Sequence, residues 1–278
     1  MSPARVVLLT TIAMVAFAAN SLLCRLALKG GHMDAASFTL IRLLSGAAIL
    51  WLMVRLRSGE SGLQGNWPSA LALFVYGAGF SFAYLTLSAA SGALLLFGAV
   101  QATMIGYGLW RGERLHLQQW SGLILAGAGL VGLMLPGLSA PPPGGAALMV
   151  LAGIAWGVYS LRGRGSRDAT ASTAGNFVRT VPMVLVLALI MAPDLAGDAL
   201  GVGYAIASGA LASGLGYALW YAALPGLRAS SAASVQLSVP VIAALGGTVL
   251  LDEPVTIRLV LASAAILGGI ALVILKRR

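Results

Sequence analysis

The sequence predicts an all-α integral membrane protein in which ten transmembrane helices form two inverted five-helix repeats. Hydrophobic residues make up 59% of the chain and charged residues only 9%, and the mean hydropathy is +0.93. A soluble domain carries about 25% charged residues, so this composition places most of the chain in lipid. A second observation, a residue pattern that recurs after about 140 residues, indicates two related halves.

Ten apolar runs are each long enough to cross a bilayer, whose hydrocarbon core of about 30 Å needs about 20 residues of helix. They are predicted at 5–24, 35–55, 67–87, 91–110, 117–136, 144–162, 172–192, 199–221, 230–250 and 255–275. Because these runs use most of the 278 residues, no separate soluble domain is expected. The 36 glycines agree with this interpretation, because small residues let helices approach closely in lipid.

The distribution of basic residues predicts the orientation of these spans. If the N-terminus lies inside, most of the 17 Lys and Arg residues fall at the inward ends and loops. The positive-inside rule then places both termini in the cytoplasm. The net charge of +9 is therefore a topology signal, and nucleic acid is not expected as a partner.

Matching residues recur in chain order in the two halves. Three pairs at nearly constant spacing are Asn20 with Tyr159, Arg42 with Arg179 and Glu113 with Glu253. Each half holds five spans, an odd number, so the second half must enter the membrane in the opposite direction. Inverted repeats of this kind are common in secondary transporters, where the substrate binds near the midplane between the halves. The proline-rich stretch 136–145 predicts the boundary between a first repeat, 1–138, and a second, 139–278.

Rings and amides within the spans are the candidates for a substrate cavity, because ligand pockets are mostly apolar and aromatic with a few polar groups. The substrate-binding candidates are Asn20, Tyr76, Phe80, Tyr84, Phe97, Gln101, Trp156, Tyr159, Tyr217 and Gln236. Core packing is the alternative for the rings, or an interfacial aromatic belt for rings near span ends such as Tyr84 and Trp220. Interhelical hydrogen bonding is the alternative for the amides. Pro225 and Pro240 predict helix breaks in the second half, where protein or a water-filled cavity satisfies the freed backbone groups.

Two arginines inside apolar runs are open to two interpretations. Arg42 and Arg179 each lie about two turns within a span, where an arginine is costly in lipid. Each either binds a substrate carboxylate, or reaches an interface or a backbone carbonyl. The sequence does not choose between these roles.

All eight acidic residues fall in loops or at span ends. Glu113 and Glu253 close the fourth and ninth spans, at boundaries that water can reach. Proton-driven carriers typically hold an ionisable group within the membrane, so no carboxylate relay is visible here. The sequence has a single cysteine and no clustered metal ligands, so we expect neither a metal nor a cofactor.

Several of these features together are similar to those of one family. They are two five-span halves, an Asn or an aromatic residue near the end of the first span, Phe-x-x-x-Arg opening the second, and the boundaries Gly112-Glu113-Arg114 and Asp252-Glu253-Pro254. The chain resembles the EamA-type branch of the drug/metabolite transporter superfamily, and more closely the bacterial aromatic amino acid exporters. The resemblance covers almost the whole chain. It implies a bacterial inner-membrane location, ten helices around a central cavity, and export of small metabolites. It also implies that Glu113 and Glu253 are structural, by capping or by pairing with Arg114 and Arg258.

The resemblance and the candidate residues together predict a transporter and not an enzyme. The expected activity is export of aromatic and other neutral amino acids by alternating access, down a gradient because no carboxylate relay is visible. A cavity of rings and amides suits a neutral zwitterion with an apolar side chain better than a polycation. Export of cationic drugs or nucleotide sugars is an alternative. A lipid-acting membrane enzyme is another, although no His, Asp and Glu constellation at the interface supports it.

The fifth and tenth spans carry small residues four positions apart. These pairs are Gly122 with Ala126, Ala128 with Gly132 and Ala264 with Gly268. Such spacing is typical of closely packed helices in membranes. We therefore expect these two spans to pack within one chain or to join two chains, so that the protein in the lipid bilayer is a monomer or a homodimer.

Overall fold

The computed structural model describes residues 2–57, 62–112, 114–135, 137, 140–163, 166–192, 195–227 and 235–274. Its helices are α1 (Pro3–Lys29), α2 (Ala35–Leu56), α3 (Trp67–Ala83), α4 (Ala89–Trp110), α5 (Leu117–Met134), α6 (Pro143–Gly163), α7 (Ala169–Ile190), α8 (Ala199–Ile206, a π-helical segment Ala207–Leu215, then Gly216–Ala223), α9 (Ser238–Leu251) and α10 (Ile257–Ile274). Over the described residues the chain is all-α, apart from one isolated bridge between Met33 and Gly197.

Eight of these helices are long and apolar enough to cross a membrane, and α3 and α9 are shorter apolar helices. The large hydrophobic side chains exposed on the helices, such as Leu117, Ile257 and Val249, lie on surfaces that lipid would cover. The predicted all-α, multi-pass membrane protein is therefore confirmed. The predicted Glu113 boundary and the junction at 138 and 139 lie outside the described residues.

Helix ends differ from the predicted spans in two places. The third span was predicted to reach 87, but α3 ends at Ala83 because the chain must reverse before Ser88, whose hydroxyl accepts the Ser91 N–H and starts α4. The ninth span was predicted as 230–250, with a helix break at Pro240, and the structure has a break beside it: residues 235–236 are helical, Leu237 is a turn, and α9 begins at Ser238. Pro240 lies in the first turn of α9, where a backbone N–H has no partner within the helix. Pro225 does lie at a helix end, in the 3₁₀ turn Leu224–Gly226 that follows α8.

The π-helical segment in the middle of α8 was not predicted. It lies against α2, where a side chain at Gly209 would collide with the Arg42 carbonyl oxygen, so only glycine allows this close approach. The segment also directs Ser208 and Ser213 toward Asn20 of α1. Single π-helical turns inside α-helices are frequent at functional sites, and this one lies beside the cavity described below.

Several helices begin at a side chain that accepts a backbone N–H from the first turn. These caps are Ser2, Asp34, Asn66, Ser88, Asp168 and Asp198. The three aspartates are doubly suited to these positions, because the helix N-terminus also carries a partial positive charge. Capping therefore explains why these acidic residues lie at the ends of spans.

Helices from the two halves pack in reciprocal pairs. The packed pairs include α3 with α6 and α8 with α1, α4 with α6 and α9 with α1, α3 with α7 and α8 with α2, and also α2 with α7, α4 with α9 and α5 with α10. Suppose that α1 to α5 are exchanged, in order, with α6 to α10. The pairs α2 with α7, α4 with α9 and α5 with α10 are then unchanged, and every other pair in this list becomes another pair in it. The core thus lies between the halves, and neither half forms a core alone.

The helices α5 and α10 form a pair at the edge of the bundle. Gly122 lies so close to α10 that an added Cβ would be 2.5 Å from the Gly269 carbonyl oxygen, and Gly129 faces Ala265 in the same way. These small residues therefore serve packing within one chain. A homodimer through the outer faces of the two helices stays a prediction.

Candidate substrate cavity

A cavity of about 550 Å³ lies between helices of both halves. Its size falls in the range of pockets that hold drug-sized molecules. Its wall consists of Phe17, Asn20, Tyr76, Phe80, Leu96, Phe97, Val100, Gln101, Met104, Trp156, Ser160, Gly163, Ser166, Ala169, Tyr217, Trp220, Tyr221, Leu224, Pro225 and Gln236. The wall thus combines α1, α3 and α4 of the first half with α6, the start of α7, α8 and residues next to these helices and α9 from the second.

All but two of the predicted candidates lie on this wall. They are Asn20, Tyr76, Phe80, Phe97, Gln101, Trp156, Tyr217 and Gln236. Helical spacing explains part of this agreement, because Tyr76 and Phe80 lie one turn apart on α3, and Phe97 and Gln101 lie one turn apart on α4. Whether these residues bind a substrate stays a prediction.

The structure does not bring Tyr84 and Tyr159 to the wall. Tyr84 follows the end of α3, is fully buried, and donates its hydroxyl to the Ala89 carbonyl oxygen at 3.3 Å. Tyr159 stacks on Trp156 with ring centroids 5.3 Å apart, and its hydroxyl accepts a hydrogen bond from Asn176 at 3.4 Å. Both rings form a second layer that fixes the orientation of rings on the wall.

The aromatic rings of both halves meet at Trp156. Its ring lies 5.0 Å from Tyr217 in a stacked arrangement and 4.8 Å from Tyr76 in a tilted one. Phe17 packs edge-on against Tyr217 at 5.7 Å. Offset and edge-to-face pairs of this kind stabilise one another beyond the area that they bury. The cluster therefore makes a rigid apolar wall from α1, α3, α6 and α8.

The three amides on the cavity wall differ in how they are bonded. Asn20 donates to the Ser213 hydroxyl at 3.0 Å and accepts from the Ser208 hydroxyl, so its polar atoms are engaged by the π-helical segment. Gln101 is buried and Gln236 is partly buried, and within the described residues neither amide makes a hydrogen bond. Gln101 and Gln236 can therefore bind a molecule in the cavity without first breaking a bond to the protein.

Arg42 and Arg179, the two arginines within apolar spans, are bonded in different ways. Arg179 donates to the carbonyl oxygens of Gly175 and Gln64, both at 2.8 Å, so the backbone-carbonyl interpretation holds for it. Arg42 is only 2% exposed, and its Nη2 donates to the Tyr76 hydroxyl at 3.0 Å. Arg42 does not reach an interface; it lies directly behind the cavity wall.

Several wall residues were not among the candidates. Phe17 lies one turn before Asn20, and Tyr221 lies one turn after Tyr217, so helical spacing from the chosen residues would have found both. Leu96, Val100 and Met104 follow the same face of α4, but apolar residues of this kind occur on every face of a membrane helix. Their place on the wall is visible only in the packed bundle.

At one end of the bundle Glu253 connects several helices, and we call this the Glu253 end. Glu253 is 7% exposed; it binds Arg25 of α1 at 2.9 Å and accepts the Ala89 N–H at the start of α4 at 2.7 Å. The expected pairing of Glu253 with Arg258 is wrong, because Arg258 donates to the Leu135 carbonyl oxygen instead. The partner Arg25 also donates to the Tyr84 carbonyl oxygen.

Two aspartates connect loops at the same end. Asp34 accepts the Ala196 N–H at 2.8 Å, and Asp198 contacts the His32 ring nitrogen at 2.7 Å. Partial burial acts to raise the pKa of Asp34, but hydrogen bonds from backbone and side-chain groups of Ala196, Ser37 and Ala36 outweigh it and hold the pKa below its ordinary value. The Gly201 N–H and then His32 likewise lower the pKa of the exposed Asp198.

At the opposite end, residues 62–66 and 166–168 of two connections join the halves, and we call it the Gln64 end. The Gln64 N–H donates to the Ala171 carbonyl oxygen at 3.2 Å, and the Asn66 N–H donates to the Asn176 side chain at 2.9 Å. Arg162 donates to the Asn66 side chain at 3.1 Å. These contacts are mostly backbone and amide hydrogen bonds between the halves.

The cavity extends from the middle of the bundle toward the Gln64 end. At that end its wall includes Gly163 and Ser166, which are partly exposed, and Pro225, which is exposed. Toward the Glu253 end the wall ends at buried side chains such as Phe80 and Phe97. In this conformation the cavity is therefore accessible from the Gln64 end and closed at the Glu253 end.

Among the described residues no group of three or more His, Cys, Asp or Glu side chains could hold a metal ion. Asp34, Asp168, Asp198, Asp252 and Glu253 all lie at helix ends or in connections. None of these carboxylates belongs to the cavity wall. The cavity that the structure describes is therefore lined by neutral groups.

Comparison with known proteins points to one family. The sequence model of the EamA-like transporter family matches residues 143–275. The uncharacterized protein PA1977 of Pseudomonas aeruginosa is 56% identical over 274 residues, which cover 98% of this chain and 96% of that one. An uncharacterized transporter of Archaeoglobus fulgidus is 27% identical over 223 residues, covering 76% of this chain and 78% of its own.

A crystal structure of another protein has the same fold. It matches 98% of each chain with a TM-score of 0.68, at 20% sequence identity. Identity this low supports similarity of fold alone. The arrangement of the helices is thus shared with a solved structure, and the chemistry of the cavity has to be argued from this chain's own residues.

Proposed function

Since the chain belongs to the EamA-like transporter family, we propose that it exports aromatic and other neutral amino acids across the bacterial inner membrane. The family and the apolar helices show that the protein is a multi-pass membrane transporter. The substrate class, the direction and the inner-membrane location are our proposals. A lipid-acting enzyme is not favoured by the family.

The observation that carries the substrate class is the composition of the cavity wall. Rings from both halves surround Trp156, and the unbonded amide of Gln101 faces the same space. An aromatic or aliphatic side chain would pack against the rings, while the polar end of an amino acid would bind the amide and the hydroxyls. Nucleotide sugars would favour basic side chains on the wall, and cationic drugs would favour a carboxylate there.

We further propose that residues 1–138 and 139–278 are inverted repeats that rock against each other to alternate access. The reciprocal packing of helices between the halves supports this arrangement, because each of the helix pairs named above has a counterpart in the exchanged positions. The distribution of basic residues would place the Gln64 end and both termini in the cytoplasm. On that orientation, this conformation is ready to receive a substrate from the cytoplasm.

Transport is proposed to be facilitative. The carboxylates that the structure describes lie at helix ends or in connections, away from the wall of the cavity. A proton-coupled carrier would need an ionisable group whose charge changes between its two states, within reach of the substrate site. Movement down an amino acid gradient requires no such group.

The proposal is tested by uptake of labelled Phe, Trp, Leu, Met and Lys into proteoliposomes, with and without an imposed pH gradient. We expect saturable uptake of the neutral amino acids, unchanged by the gradient and lost in Trp156→Ala. Trp110→Ala is the matched control, because Trp110 is 79% exposed and lies outside the cavity. Uptake driven by the pH gradient would contradict the facilitative mechanism, and no uptake of any amino acid would contradict the substrate class.

A further inference from the structure

Arg42 is a buried cation without a described counter-ion. Its guanidinium carbon lies 4.6 Å from the Phe80 ring centroid and 5.2 Å from that of Tyr76. Its Nη1 is shielded from solvent and has no hydrogen-bond partner among the described residues. The ion pairs found in the described part of the chain join other residues: Arg25 with Glu253, His32 with Asp198, and Arg57 with Asp168.

The charge on this side chain is permanent, because a guanidinium does not lose its proton in proteins. The ionisable groups that interact with it are Tyr76, Tyr217 and Cys24, which are neutral in their ordinary protonation states. A buried charge without a partner is unfavourable, and its burial calls for compensation by an opposite charge. The charge of Arg179 is compensated in another way, because two carbonyl oxygens accept its hydrogen bonds.

The contact with Tyr76 connects this charge to the cavity. Arg42 donates to the Tyr76 oxygen, so the hydroxyl's own proton must point away from the guanidinium. Tyr76 lies on the cavity wall, where this proton is available to an acceptor. A hydrogen bond from a hydroxyl polarised by a cation is stronger than one from an isolated hydroxyl. The wall at Tyr76 is therefore a donor site with positive charge behind it.

We propose that Arg42 and Tyr76 select substrates that carry a carboxylate, and that the bound carboxylate supplies the missing counter-charge. This inference rests on the proposed transport of small metabolites through the same cavity, and it adds which end of the molecule is recognised. The described wall carries no carboxylate to pair with an ammonium group. The amino group is therefore not required, and aromatic carboxylates without it are also substrates.

A binding experiment on the full-length protein in detergent, with three related molecules, separates the contribution of the carboxylate from that of the amino group. They are L-phenylalanine, 3-phenylpropionate, which lacks the amino group, and phenethylamine, which lacks the carboxylate. Because Trp156 and Trp220 both lie on the wall, a change in tryptophan fluorescence when a ligand is added reports occupancy of the cavity. We expect 3-phenylpropionate to bind about as tightly as phenylalanine, and phenethylamine to bind at least about tenfold more weakly, as the loss of a charge-assisted hydrogen bond predicts.

Variants of the two arginines test the assignment to Arg42. Arg42→Gln should abolish the preference for the carboxylate, whereas Arg42→Lys should retain part of it because the charge is kept. Arg179→Gln is the matched control in the other half and should leave the preference unchanged. The wild-type ligand series alone decides the proposal if the Arg42 variants do not fold.

Equal or tighter binding of phenethylamine to the wild type would overturn this inference and leave the transporter assignment intact. Binding of 3-phenylpropionate without any uptake of amino acids would support the inference and contradict the proposed amino acid substrates. Binding of none of the three molecules would overturn both. A carboxylate preference that persists in Arg42→Gln would also overturn the inference.

Discussion

The contacts that join the helices differ between the two ends of the bundle. At the Glu253 end, one buried carboxylate joins Arg25, the start of α4 and the connection between α9 and α10. At the Gln64 end, backbone and amide hydrogen bonds join the halves. The ion pair found there among the described residues, Arg57 with Asp168, spans 3.6 Å, and its side chains are 61% and 27% exposed.

The difference between these contacts indicates which end of the bundle is held closed in this conformation. Removing one partner of a buried ion pair leaves a charge without compensation, whereas exposed pairs contribute little. The loss of a neutral hydrogen bond has a cost between those of a buried and an exposed ion pair. We infer that the Glu253 end is the firmly closed one, which agrees with a cavity that reaches the surface at the Gln64 end. Alternation between the two ends then requires that the Glu253 contacts separate.

The largest effect is expected from Glu253→Ala. The substitution leaves Arg25 and the Ala89 N–H without their carboxylate, and breaking a buried pair in this way costs about 3 to 5 kcal/mol of the free energy of unfolding. We expect a lower thermal transition in detergent. We also expect faster maleimide labelling of Cys24, the single cysteine, which is buried on α1 next to Arg25.

Asp252→Asn is the control for this substitution. Asp252 is the exposed neighbour with a left-handed backbone, which Asn tolerates well. It should change neither the transition temperature nor the labelling of Cys24 by much. Labelling of Glu253→Ala at the wild-type rate would mean that Glu253 does not hold this end closed.

A smaller effect is expected from Asn176→Ala at the Gln64 end. Its side chain accepts the Asn66 N–H at 2.9 Å, so the substitution leaves a backbone donor unpaired, at about 1 to 3 kcal/mol. The thermal transition should fall by less than in Glu253→Ala, and the labelling of Cys24 should not change. Gln64→Ala is the control, because the backbone atoms of Gln64 make its contacts with Ala171 and Arg179, and its side chain accepts only a long, exposed hydrogen bond of 3.4 Å from Ser172. Faster labelling in Asn176→Ala would remove the distinction between the ends.

The smallest effect is a pH dependence at the Glu253 end. The folded protein holds the pKa of Asp34 below its ordinary value of 3.8, so the carboxylate stabilises the fold above that value and stops doing so as the pH falls through the lowered pKa. Asp34→Asn should therefore be slightly less stable than the wild type at pH 7, and the difference should narrow below about pH 3.8. Thermal unfolding of both proteins from pH 7 to pH 3 measures it, and a constant difference would contradict the assignment.

Much of the cavity could be predicted because its residues follow helical spacing on apolar helices. Once Tyr76, Phe97 and Tyr217 were chosen as candidates, positions one turn away on the same face were the natural additions. Helical spacing fails for Tyr84, because this residue lies beyond the end of α3, where the chain is no longer helical. The apolar wall of α4 could not be chosen from the sequence, since leucines and valines occupy every face of that helix.

The sequence by itself determined that the chain is a membrane protein of the EamA-like family, because apolar runs of bilayer length and recurring boundary residues are local features. Only the tertiary structure decided the partners of the charged residues. Glu253 binds Arg25, which is 228 positions away, and Arg42 and Arg179 differ although they occupy matching positions. Long-range pairing depends on how the helices cross, and a pattern along one chain does not contain that information.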